Sequence, residues 1–146
     1  MTPAIFINCK EVPFIEKIFS RDKLFETRTK NVLRKFTGMR VLLVETGNGV
    51  PMVRGSVICG HPSAITDARA WDTARSTTQV PVGSRYDWTK DTRIKWLTPM
   101  FSPLMCEPFP LPADAVRHGR TWAEYRGRYD FTPDFEGFDS DPRFFS

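Results

Sequence analysis

Apolar residues first gather at Ala4-Ile5-Phe6-Ile7-Asn8, a β-branched and aromatic run that predicts an opening strand. From Glu11 to Ser20 the spacing changes. Phe14, Ile15, Ile18 and Phe19 recur at helical intervals, with Pro13 near the start, where proline is tolerated. Leu24 to Arg28 predicts an extended segment, in which side chains alternate between faces. Leu24, Glu26 and Arg28 then share one face, and Phe25 and Thr27 the other. Thr29 to Phe36 predicts a basic turn or short helix. Gly38 through Thr46 is a strong strand pattern, Gly47-Asn48-Gly49 is a turn, and Val50 to Cys59 resumes as the partner strand. Residues 39–59 therefore predict a β-hairpin, with Gly55 marking a bulge or a close backbone approach.

Ser63 to Ser76 predicts a helix with Ala64, Ile65, Ala68, Trp71 and Ala74 on its buried side. Gly83 to Asp91 predicts a loop or short strand, and Arg93 to Leu97 a strand. Pro99, Pro103, Pro108, Pro110 and Pro112 favour extended, edge-like or irregular structure through 98–113. Ala113 to Tyr125 predicts a short helix broken at Gly119. The sum is an α+β chain with a small, mostly antiparallel sheet, flanking helices and a C-terminal extension.

Composition narrows the class without naming a function. At 146 residues, 40% hydrophobic and 26% charged, the chain is an ordinary globular protein of one-domain size. No apolar run approaches the ~20 residues of a membrane-spanning helix, and no signal peptide is evident at Met1-Thr2-Pro3-Ala4. Cys9, Cys59 and Cys106 are odd in number and far apart. They are read as reduced thiols in a cytoplasmic protein, with no metal and no cofactor expected. The net charge of +4 is unevenly spread. Residues 130–146 hold five acidic side chains against Arg143 alone, a net −4, which leaves +8 on the rest. A basic body suggests a polyanionic partner.

The densest chemistry lies in Lys23, Glu26 and Arg28, which fall within six positions. The Lys23 stem can fold back towards Glu26. Such a cluster either braces the fold or grips a polar ligand. Lys and Arg can contact phosphate, Arg bidentately, and Glu can accept from the exocyclic amine of cytosine. Lys10, Lys30, Arg34, Lys35, Arg40 and Arg54 are candidates for an electrostatic surround. Trp71, Trp88 and Trp96 are candidates for stacking on unpaired bases. From these sets Lys30, Arg54 and Trp88 join Lys23, Glu26 and Arg28 as the candidate ligand-binding residues.

The order of helix, Ser20-x-x-Lys23-x-x-Glu26-x-Arg28, basic turn, Gly38 through Val44 and Val53-Arg54-Gly55-Ser56-Val57 resembles the ASCH domain. That domain belongs to the PUA-like superfamily of small β-barrels. The resemblance covers residues 4–110, is strongest over 14–60, and has Ser20 where the family usually has glycine. It implies a barrel whose mouth is bordered by Lys23, Glu26 and Arg28. It also implies binding of RNA or a nucleotide by residues 1–112, with 113–146 as an extension. Some relatives cleave RNA or hydrolyse modified nucleosides. The sites of those acting on acylated cytidine resemble Lys, then Thr three positions on, then a distant Glu. Here Glu26 stands at the Thr position. An alternative is therefore a hydrolase with Lys23 as base, which needs a depressed lysine pKa. A third reading is a protein-interaction module built from Pro99–Pro112 and the Phe-rich tail. The acidic run Asp134 to Asp141 is a candidate mimic of the polyanion.

Overall fold

The computed structural model describes residues 2–126 and the backbone of 144–145. The tail segment 130–143, with its proposed polyanion mimicry, lies outside the described residues. Strand β1 (Thr2–Asn8) leads into helix α1 (Phe14–Phe19) and the short strand β2 (Phe25–Arg28). A 3-10 turn (Arg34–Phe36) precedes the hairpin of β3 (Arg40–Thr46) and β4 (Met52–Cys59). Next come β5 (Ser63–Ile65), helix α2 (Ala68–Thr78) and the long strand β6 (Lys95–Pro110). The remaining strands are β7 (Val116–His118), β8 (Trp122–Tyr125) and β9 (Phe144–Phe145).

The strands run in the order β2-β6-β4-β3-β1-β8-β7, with β5 and β9 also on β6. Among the described residues, only β1 and β3 pair in parallel, Ala4 opposite Leu42 through Asn8 opposite Thr46. The sheet curls into a half-barrel with the helices packed on it. β1 and β3 are buried on both faces. Ile5, Ile7, Val41 and Leu43 enter the larger core beneath α1 and α2, while Ala4, Phe6, Leu42 and Val44 enter a second core. Double burial is why both strands read as continuous apolar runs rather than alternating ones.

Two helical expectations are corrected. Ser63–Ile65 is a strand paired with Lys95–Leu97 of β6, and α2 starts only at Ala68. Asp67 sets that start, because its carboxylate accepts the Ala70 N–H at 2.8 Å and caps the helix. Residues 116–125 form a hairpin rather than a helix, and β8 pairs with β1. Gly119 takes a positive φ of 62° at its turn, so the residue read as a helix break is the reversal itself. The proline-rich run is extended, as expected. Its half of β6 has β4 along one side and only the two-residue β9 on the other, an edge-like setting that tolerates missing N–H donors.

Gly55 is both bulge and close approach. The register with β6 shifts beside it, its φ is 154°, and an added Cβ would meet the Leu104 carbonyl oxygen at 2.1 Å. Gly55→Ala is expected to lower stability by about 2–3 kcal/mol through backbone overpacking. A lower denaturant midpoint at unchanged slope checks this; an unchanged midpoint would refute the constraint.

Candidate functional site

Helix α1 ends in a tight reversal that aims Lys23 inward. Ser20 stays in right-handed helical geometry (φ −74°), and Arg21 takes the left-handed position at φ 69°. The serine in the glycine slot is thus tolerated because the unusual backbone falls one residue later. Arg21 is held there by donating to the Met100 carbonyl at 2.8 Å. Lys23 follows and is completely buried. Its Nζ donates to the Thr78 carbonyl at the end of α2 (2.7 Å), lies 3.6 Å from Glu26 Oε1, and sits 4.5 Å over the Phe14 ring of α1.

Alternation along β2 puts Glu26 and Arg28 on one face. Glu26 Oε2 accepts from Arg28 at 3.0 Å, and the same Arg28 nitrogen donates to the Phe6 carbonyl of β1 at 2.7 Å. Glu26 therefore joins two cations from opposite sides, one buried and one partly exposed. Burial pushes the Lys23 ammonium below its ordinary value, and the Glu26 carboxylate opposes that shift.

Glu26 and Arg28 form part of the wall of a cavity of about 550 Å³. Phe6, Phe14 and Tyr86 give it aromatic surface; Arg85, Lys95, Arg117 and Arg120 add positive charge. Glu26 is the sole acid among its lining residues, against five cations. Two buried polar atoms of lining residues, Arg28 Nε and Tyr86 Oη, have no hydrogen-bond partner. Lys95 donates to the Tyr86 carbonyl at 2.9 Å, and burial lowers its pKa. Among the described residues, no three His, Cys, Asp or Glu side chains gather as metal ligands. All three cysteines are buried, with the Cys59 thiol pushed up to about 12 by burial.

The other candidates fall outside this cavity lining. Lys30 is exposed. Arg54 is ion-paired to Glu45. Trp88 packs against Trp71, ring centroids 6.3 Å apart, beside the core. Trp71 is itself core, and its indole N–H donates to Asp87 at 2.7 Å. Arg40 is buried and donates to Ser56 and the Ser102 carbonyl. Lys23 lies behind Glu26 and does not line the cavity.

Sequence reasoning missed Tyr86, Lys95, Arg117 and Arg120. For the two arginines a signal existed: a glycine between short runs containing Val116 and Trp122 is a hairpin pattern.

No protein-family model and no curated protein sequence matches this chain. Among solved structures, the chain is similar to the crystal structure of ASCH from Zymomonas mobilis. The TM-score is 0.66 at 15% identity, covering 84% of this chain and 87% of that one. The fold is similar to that of this ASCH structure, and the expected α+β barrel is present as a half-barrel.

The Lys23 shift has a testable consequence. Its folded pKa lies below the unfolded value of 10.5, so between the two the unfolded state binds more protons and stability rises with pH. Against Lys23→Met, the wild-type protein should gain relative stability as pH climbs towards 10.5. Parallel denaturation series across alkaline pH measure the difference, and a flat difference would refute the assignment.

Proposed function

We propose that the cavity beside Glu26 and Arg28 binds a nucleotide of RNA, with the base inward and the phosphate towards the arginines. The observation that carries this reading is a lone carboxylate, Glu26, set among five cations on the wall of a cavity with aromatic surface. The carboxylate and the lining arginines call for a ligand with matching polar edges. A nucleobase supplies such edges on a flat apolar body, which suits Phe6, Phe14 and Tyr86. Its phosphate suits Arg85, Arg117 and Arg120. A volume of about 550 Å³ lies within the usual size of small-ligand sites. The ASCH-like fold supports the same reading, because PUA-like domains are associated with RNA.

Lys23 acts in this reading as a brace that sets the position of Glu26. The hydrolase alternative draws on one observation, the depressed Lys23 pKa. Against it, the Lys23 Nζ is committed to the Thr78 carbonyl and Glu26, away from the cavity surface. A base must come within hydrogen-bond reach of the proton it takes. Turnover of acylated cytidine or an oligoribonucleotide, abolished in Lys23→Met, would reverse the preference.

Arg28→Ala should weaken binding of cytidine 5′-monophosphate roughly 10- to 100-fold, the loss of one or two charge-assisted hydrogen bonds. Calorimetric titration of both proteins measures it. Equal affinities, with both proteins folded, would remove the nucleotide from this cavity.

A further inference from the structure

The β7–β8 hairpin has two sides. Arg117, Gly119 and Arg120 line the cavity described above, whereas His118, Thr121 and Trp122 line a second hollow of about 560 Å³. Its opposite wall comes from Asn31, Arg34 and Lys35, around the 3-10 turn. Trp122 is clamped there. The His118 ring stacks on it at 4.1 Å and 13°, and Lys35 Nζ lies 4.0 Å from its centroid. The Phe36 ring meets the same indole edge-on, centroids 5.2 Å apart. His118 is exposed, and it is the end of that stack a further ring can extend. Asn31 lines the hollow, and its buried Oδ1 has no hydrogen-bond partner. No acid lines it; the nearby Glu124 is engaged by His118 at 3.3 Å and Arg126 at 3.7 Å.

We propose that this hollow is a second nucleotide subsite, so that single-stranded RNA crosses the β7–β8 hairpin with neighbouring nucleotides on its two sides. The inference rests on the nucleotide reading of the first cavity and extends it from one nucleotide to a strand. The chemistry of the hollow fits that ligand part by part. Arg34 and Lys35 are exposed cations for phosphate. The His118 ring continues a stack on which an unpaired base can lie. The Asn31 side chain adds a polar group to the wall for a base edge or a ribose 2′-hydroxyl. Arg117 and His118 are neighbours on β7 yet line different hollows, as do Arg120 and Thr121 at the turn, so the two hollows meet across one hairpin.

The test uses the full chain, cytidine 5′-monophosphate and pentacytidylate RNA, read by tryptophan fluorescence and calorimetry. Arg34→Ala removes an exposed side chain and should keep the wild-type thermal midpoint, whereas Lys35→Ala also removes the contact with Trp122 and should lower the midpoint slightly while unfolding stays cooperative. Each should weaken pentacytidylate about 10-fold and leave the mononucleotide unchanged. Each should also reduce the slope of log K against log salt by about 0.7, one phosphate contact. Wild-type affinity and slope for pentacytidylate in both variants would overturn the second subsite while leaving the first cavity intact. Dependence of pentacytidylate binding on Lys35, with no mononucleotide binding by the wild type, would support the hollow and remove the first-cavity reading. Failure of the wild type to bind either probe would overturn both.

Discussion

Glu26 holds together more of this molecule than its size suggests. One carboxylate oxygen faces Lys23, the other Arg28. Lys23 reaches the end of α2 and the Phe14 ring of α1, and Arg28 reaches the Phe6 carbonyl of β1. Four elements are therefore tied through one acid. Burying these ions costs several kcal/mol each, and the cost is offset only because every charge keeps a partner and further hydrogen bonds. The half-barrel does not close: β2 and β7 end the strand order. The Arg28 side chain spans from β2 to β1 across that open side, and the cavity lies against it.

The same arrangement separates bracing from recognition. Lys23 has no exposed surface, so its charge serves the fold. Arg28 keeps one buried nitrogen unsatisfied beside the cavity. The basic body adds a field in which an anion is drawn towards that face. Arg85, Arg117 and Arg120 concentrate it at the first cavity, and Arg34 and Lys35 at the second hollow.

Much of this was legible from local pattern. The ion-pair spacing of Lys23, Glu26 and Arg28, the 39–59 hairpin and the role of Gly55 all follow from neighbours in sequence. The failures were equally specific. Ser63–Ile65 continues an apolar helical pattern, but Asp67 delays the helix. Residues 113–125 carry apolar side chains compatible with either period. Their pairing with β1, which is more than a hundred residues away, decided for strand. Among the stacking candidates, Trp71 went to the core because its indole N–H finds Asp87 there.

The sequence by itself determined which charged residues belong together and which strands pair across short turns, because both depend on side-chain periodicity over a few residues. Tertiary structure alone decided what those charges do. It turned Lys23 inward and left Arg28 at a cavity wall. It brought Tyr86, Lys95, Arg117 and Arg120 around Glu26 from loops and strands far apart in the chain. Burial and cavity shape are set by non-local registers such as β1 with β8, and no local pattern of residues encodes them.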